Sequence, residues 1–185
     1  REVWQRRSQG LVEDSDQPPL TPELVGAYRE AEVILSHHVP TGLATMAPKL
    51  RWVQAVGAGI DHLLPLGGTG VWESEAIITG VGGFHSRVIA EFVMTFMLNH
   101  VKRTREFFAD QGEKEWTRMP AGFLNSKTVG IVGLGRIGTE TAKLCKAFGM
   151  TVLANRRTVG GDKPDWVDSM LGPKDLEQVL SASDF

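Results

Sequence analysis

The stretch Gly130-Ile131-Val132-Gly133-Leu134-Gly135-Arg136-Ile137-Gly138 constrains this 185-residue chain more than any other. An apolar run, Thr128 to Val132, leads into three glycines spaced G-x-G-x-x-G, and a helical apolar pattern follows from Arg136 to Phe148. Strand, tight turn and helix in that order are the opening of a parallel α/β unit. Each glycine has its own physical reason: Gly133 permits the turn, Gly135 lets backbone approach a diphosphate, and Gly138 lets the helix pack closely on the strand. The first-turn N–H groups and the positive end of the helix dipole then face any anion placed there. In this context the motif implies dinucleotide binding, the alternative being a glycine turn of structural use only. A phosphate loop of the G-x-x-x-x-G-K-[ST] type is excluded, because the sequence contains none.

Strand and helix signals alternate through the rest of the chain. Thr21-Pro22-Glu23 supplies an N-cap, a proline at the first helical position and an acid in the first turn, which predicts a helix to about Glu30. Glu32 to Leu35 reads as a short strand ending at His37-His38, and a short helix around Leu43 to Met46 stops before Pro48. The next strand runs from Leu50 to Ala55. From Ser86 to about Arg103 a long helix is expected, with Val88, Phe92, Phe96 and Asn99 on one face and Ile89, Val93, Met97 and His100 beside it. So wide an apolar stripe predicts cover on both sides, as in a spine between two domains, followed by a connection through Phe107, Phe108 and Trp116. The helix from Arg136 is expected to bury Ile137, Thr141, Leu144, Cys145 and Phe148. Thr151 to Ala154 is the next strand, and Pro173 starts a further helix. Trp52, Trp72, Trp116 and Trp166 read as packing residues.

Composition removes several function classes. With 20 Lys+Arg against 22 Asp+Glu and a net charge of −2, the chain is not a basic nucleic-acid binder. Its one cysteine, Cys145, forms no internal disulfide and is too few for a structural zinc site, so no metal is expected and a reducing, cytoplasmic setting is. No apolar run reaches the ~18 residues of a membrane span. The start, Arg1-Glu2-Val3-Trp4, has no initiator Met and reads as a clipped edge.

Two further segments carry chemistry. NAD binders usually place a carboxylate on the ribose 2′-hydroxyl about 20 residues beyond the glycines. Here the corresponding stretch is Ala154-Asn155-Arg156-Arg157, with no acid before Asp162. Two arginines suit a 2′-phosphate, so NADP is the expected cofactor, with NAD the alternative; solvated loop charges are the competing reading of the pair. In the first part of the chain, Gly57-Ala58-Gly59 follows a strand and exposes consecutive backbone N–H groups. These can form an anion-binding nest for a carboxylate, or a tight turn that simply needs glycine.

The stretch from Leu50 to His62, the helix carrying Ala90-Glu91, and Gly133-Leu134-Gly135-Arg136-Ile137-Gly138, in that order and spacing, resemble the D-isomer-specific 2-hydroxyacid dehydrogenase family, nearest its glyoxylate/hydroxypyruvate reductase branch. The resemblance runs from about Glu32 to Phe185. It implies an α/β fold of two Rossmann-like domains, flavodoxin-like and dinucleotide-binding: residues 1–86 for substrate, then residues 87–185, comprising the interdomain helix and a truncated NAD(P) domain with about two of its strands. It implies that the backbone of Gly57, Ala58 and Gly59 binds the substrate carboxylate. The cofactor would be held by Gly133, Gly135, Arg136, Ile137 and Gly138, with Asn155, Arg156 and Arg157 at its adenosine end. The expected reaction is NADPH-preferring reduction of a small 2-oxo acid to the D-2-hydroxy acid, by a protein that is a homodimer when complete. The family's catalytic Arg, Glu and His match no position here, so no catalytic residue is assigned and residues 1–185 alone are expected to be inactive. His37, His38 and His85 are candidates for lining the pocket, not for proton transfer, and Asp184-Phe185 reads as the entry to the third strand of the nucleotide domain. The rival function is a non-catalytic, NAD(H)-sensing binding protein of the corepressor kind on the same scaffold.

Overall fold

The computed structural model describes residues 20–60, 69–158 and 163–185, so Trp4, Asp61, His62 and Asp162 lie outside the described residues. The chain divides into two units, Arg1–Gly82 and Gly83–Phe185. Each contains a three-stranded sheet whose described pairs are parallel.

In the first unit α1 (Pro22–Glu30) begins at Thr21, whose hydroxyl accepts the Leu24 N–H at 3.3 Å. Strand β1 (Val33–Ser36), α2 (Leu43–Met46), β2 (Trp52–Ala55) and β3 (Ile77–Thr79) follow, with strand order β1-β2-β3. Val33 pairs with Trp52, and Trp52 with Ile77. Ile34, Val53 and Ala55 point into a core with Val39, Leu43, Ala47 and Val71. A polar row runs along the sheet: Trp52 Nε1 donates to Thr79 Oγ1 at 2.7 Å, and the Thr79 hydroxyl donates to Gln54 Oε1 at 2.7 Å. Trp52 is thereby held at its indole N–H while its ring stays partly exposed.

The second unit contains α3 (Ser86–Lys102), α4 (Thr104–Glu113), β4 (Thr128–Val132), α5 (Arg136–Ala147), β5 (Thr151–Asn155), β6 (Ser169–Leu171) and α6 (Leu176–Ala182), with strand order β4-β5-β6. Its core gathers Met94 and Met97 of α3, Val129 and Ile131 of β4, Ala142 and Cys145 of α5, and Val152 and Ala154 of β5. Burial pushes the Cys145 thiol up to about 11, which keeps it protonated and unreactive at neutral pH.

Several expectations are corrected here. The buried face of α3 is Ser86, Ala90, Met94 and Met97, whereas Val88, Phe92 and Phe96 are 64%, 62% and 59% exposed. The contact with α5 selects the small and flexible residues that let two helices approach, and not the bulkiest stripe. On α5 the buried set is Gly138, Thr141, Ala142 and Cys145, with Leu144 partly buried; Ile137 and Phe148 are half-exposed. The connection after α3 is itself helical, set off by Arg103 in the left-handed region at φ 56°. Trp116 is 95% exposed, so among the described residues it is not a packing residue. The third strand is β6, giving three strands rather than two. Asp184 and Phe185 lie along the other edge of β4, where both N–H groups donate to Thr128 O and Gly130 N donates to Phe185 O at 2.8 Å, so they enter alongside the sheet as expected, but after the third strand rather than as it.

Two aspartates close the strand starts in the same way. Asp168 accepts the Val152 N–H at 2.8 Å and pairs with Lys146, while Asp184 accepts the Thr128 N–H at 2.8 Å and pairs with Lys127. The lysine first and the backbone N–H second hold each carboxyl below the ordinary aspartate value. A group depressed in the folded state stabilises above its unfolded pKa of about 3.9, and that stability is lost as pH falls through the folded value. The melting temperature is therefore expected to fall from about pH 4 downward. A double Asp168→Asn, Asp184→Asn variant should melt lower than wild type at pH 7 and show a shallower decline between pH 4 and 2, by circular dichroism.

Candidate functional site

The turn after β4 is built by sterics and one tether. Gly133 sits at φ +98°, a region that disfavours any side chain, and the N–H groups of Gly133 and Leu134 donate to Asn155 O at 2.9 and 3.2 Å. The end of β5 thus fixes the glycine turn. A Cβ on Gly138 would overlap the carbonyl oxygen of Gly133 and lie 3.0 Å from Ile131 Cγ2, so only glycine lets α5 rise directly from the strand. A Cβ on Gly135 would meet nothing within 4 Å, which means open space above the turn. No side chain caps α5. Its first turn therefore presents the N–H groups that a helix leaves without intrahelical acceptors. Open space, an uncapped helix start and a crowded Gly138 fit a dinucleotide's diphosphate, with Gly133, Gly135, Arg136, Ile137 and Gly138 as its cradle.

At the adjoining strand end the Asn155 side-chain amide donates to Gly172 O, so this residue secures the turn through both its backbone and its side chain. Arg156 is half-buried; its N–H donates to Leu171 O at 3.3 Å and its Nε to Thr158 O at 2.6 Å. Arg157 is exposed beside it.

Sequence reasoning missed the other wall of this site. A cavity of about 510 Å³ opens between the start of α3, with Gly83, Ser86 and Arg87, and the start of α5, with Gly135, Arg136 and Thr139. Gly83 has φ +91°, and a Cβ there would stand 2.6 Å from Arg136 Cδ, so the arginine stem crosses bare backbone at the foot of α3. Gly82-Gly83 ahead of Ser86 was the available signal: glycines before a helix start, as at Gly133 to Arg136. The acid on the rim, Glu140, is paired with Lys143 at 2.6 Å.

In the first unit, Gly57-Ala58-Gly59 leaves β2 directly. Gly57 O accepts Val81 N–H at 3.1 Å, while among the described residues no backbone acceptor takes the N–H of Gly57, Ala58 or Gly59. The imidazole of His37 lies beside this loop: a Cβ on Gly57 would stand 3.4 Å from its Cε1. His38 is turned by Ser36, whose Oγ accepts its N–H at 3.2 Å. The loop fits a carboxylate without any charged side chain. The candidate cofactor residues all belong to the second unit and this loop to the first. Among the described residues no cluster of His, Cys, Asp or Glu could hold a metal, and no helix is long and apolar enough to cross a membrane.

Residues 94–185 match the family model for the D-isomer specific 2-hydroxyacid dehydrogenase NAD binding domain. Across 99% of its length the chain is 30% identical to a glyoxylate reductase of Aeropyrum pernix, of which it covers 54%. A D-isomer specific 2-hydroxyacid dehydrogenase family protein of Aeromonas salmonicida has the same fold with TM-score 0.75 at 23% identity, over 98% of this chain and 58% of that one. An NADPH-dependent glyoxylate/hydroxypyruvate reductase of Sinorhizobium meliloti, solved with NADP and sulfate, matches with TM-score 0.69 at 25% identity, over 86% of this chain and 50% of that one. The chain thus spans about half the length of the relatives it matches. Parallel sheets, a glycine turn cradling a helix start and these matches agree: the chain belongs to the D-isomer-specific 2-hydroxyacid dehydrogenase family and carries the NAD-binding part of it.

Proposed function

We propose that the full-length protein is an NADPH-preferring reductase of a small 2-oxo acid, of the glyoxylate or hydroxypyruvate kind, yielding the D-2-hydroxy acid. The observation that carries this reading is the glycine turn tethered to a strand end that bears Arg156 and Arg157 where an acid would select NAD. The names of the Aeropyrum pernix and Sinorhizobium meliloti relatives support the substrate and the cofactor. When bound, the dinucleotide supplies the hydride; the residues of this chain bind and orient. The first turn of α5 takes the diphosphate, Arg156 and Arg157 take the 2′-phosphate, and the amides of Gly57, Ala58 and Gly59 take the substrate carboxylate. Backbone donors do not titrate, so they position the 2-oxo group without supplying a proton, and His37, His38 and His85 have no proton-transfer role in this scheme. The exposed Val88, Phe92 and Phe96 of α3 support a homodimer as the complete protein's state.

The test is NADPH oxidation by the full-length protein, followed by absorbance, with glyoxylate and with hydroxypyruvate. Turnover with at least one acid is expected, with kcat/KM for NADPH about tenfold or more above that for NADH. Tight dinucleotide binding with no turnover on either acid would replace the enzyme by the NAD(H)-sensing reading.

A further inference from the structure

Asn155 is the last residue of β5, the middle strand of the second sheet, where it pairs with Val132 of β4 and Leu171 of β6. From that place it holds the exits of both neighbours. Its carbonyl oxygen accepts the N–H groups of Gly133 and Leu134 at 2.9 and 3.2 Å just after β4, and its side-chain amide donates to Gly172 O just after β6. Gly172 is fixed from its other side as well. Its O accepts the Asp175 N–H at 3.1 Å, and its N–H donates to Asp175 Oδ2 at 3.1 Å, directly ahead of α6. One row of hydrogen bonds therefore runs from the glycine turn through Asn155 to the start of α6. It follows the carboxyl ends of three parallel strands, the edge at which open α/β sheets bind their ligands.

The residue type matters. A carbonyl oxygen faces the Asn155 side chain, so a donor is needed there; an aspartate of the same shape would set a carboxylate oxygen against it. Asn155 is also 8% exposed, whereas Arg157 beside it is open to solvent. The sequence groups Asn155 with Arg156 and Arg157 at the adenosine end, yet its amide nitrogen is spent on β6. We propose that Asn155 is a positioning residue for the cofactor: its side chain touches no part of the dinucleotide and sets affinity by clamping the strand end whose carbonyl holds the glycine turn. The role rests on the dinucleotide reading of the second unit and adds to it the group that keeps the turn in place. The turn meets the part of the cofactor common to NADPH and NADH, so loss of the clamp weakens both alike. A side chain in contact with the ribose would instead change one against the other, because the 2′-substituent is where the two differ.

The experiment measures dissociation constants for NADPH and NADH by calorimetry, well below the melting temperature, on the full-length protein and its Asn155→Ala and Asn155→Asp variants. Asn155→Ala leaves Gly172 O its bond from the Asp175 N–H, so the variant should fold and melt about 1–6 °C lower. Both cofactors should bind it about three- to tenfold more weakly, the scale of one net hydrogen bond, with the NADPH to NADH ratio within about twofold of wild type. In NADPH oxidation with glyoxylate, KM for NADPH should rise by the same factor while kcat stays within about twofold, because saturating cofactor restores the bound geometry. A residue that only stabilises the fold would lower the melting temperature and leave affinities and KM at wild type, and that result overturns the role of Asn155 with the dinucleotide reading intact. So does a loss confined to one cofactor. Asn155→Asp keeps the shape without the donor, so NADH should weaken there too; a gain in NADH affinity would mean that the side chain reaches the ribose, which also overturns the proposal. A wild-type protein that binds neither NADPH nor NADH would overturn the dinucleotide reading itself, and this role with it.

Discussion

Gly138→Ala is expected to lower the melting temperature by about 2–12 °C and to weaken NADPH binding at least ~100-fold. The added methyl would overlap the Gly133 carbonyl oxygen and approach Ile131 Cγ2 at 3.0 Å. Neither neighbour can yield cheaply. Gly133 is held at φ +98° with its N–H bonded to Asn155 O, and Ile131 is buried in the core. Helix α5 must therefore lift from β4. Overpacking of this kind costs roughly 1–3 kcal/mol, and each kcal/mol shifts the melting temperature of a domain this size by about 2–4 °C. Lifting α5 also displaces the amides of Arg136 and Ile137. Two charge-assisted hydrogen bonds at about 1.5–3 kcal/mol each amount to a factor of 100 or more in affinity. Gly135→Ala is the control that separates the two effects. Its methyl meets no protein atom within 4 Å, so the melting temperature should stay within about 2 °C of wild type while the methyl obstructs the diphosphate and binding falls. Calorimetric binding and thermal melts of both variants check this; a Gly138→Ala protein that melts and binds like wild type would show that the turn does not have this geometry.

The contrast between those two glycines also shows what a sequence can convey. The roles of Gly133 and Gly138 follow from sterics that act within a few residues, so the spacing alone places strand, turn and helix start. The same holds for Thr21 and Pro22 at α1, where cap and first turn are local. The face that α3 buries is not local. Its apolar residues, Val88, Ile89, Phe92, Val93, Phe96 and Met97, go most of the way round the helix, and only the partner α5 decides that Ala90, Met94 and Met97 are inside. Strands β3 and β6 are each three residues long, too short to display a period. Ser86 is the sharpest case: serine in a first helical turn reads as ordinary, and the lack of a hydrogen-bond partner for its hydroxyl among the described residues exists only in three dimensions. Fold and glycine turn were legible because backbone geometry dictates glycine; the second wall of the cavity left only the signal of Gly82-Gly83, because packing dictates where α3 and α5 meet.

The double variant Arg156→Ala, Arg157→Ala is expected to lower NADPH affinity about 100-fold and leave NADH within about threefold, so that the ratio of the two collapses toward one. The two arginines are not equivalent. Arg156 is half-buried, with its Nε bonded to Thr158 O at 2.6 Å and its N–H to Leu171 O, so its guanidinium is already oriented before any ligand arrives. Pre-ordering removes part of the side-chain entropy that a flexible cation would lose on binding. Arg157 is exposed and must be ordered by the phosphate itself. Arg156→Ala alone should therefore account for most of the loss, about 10- to 100-fold for one charge-assisted contact, and Arg157→Ala for about two- to fivefold that shrinks as salt rises. Loss of the Arg156 bond to Thr158 also loosens the segment after β5, whereas Asn155, which ties the glycine turn, is untouched; NADH binding survives for that reason. Fluorescence titrations of both cofactors at low and moderate ionic strength separate the contributions. An unchanged NADPH to NADH ratio in the double variant would mean that Arg156 and Arg157 are solvated loop charges and that cofactor choice lies elsewhere in the protein.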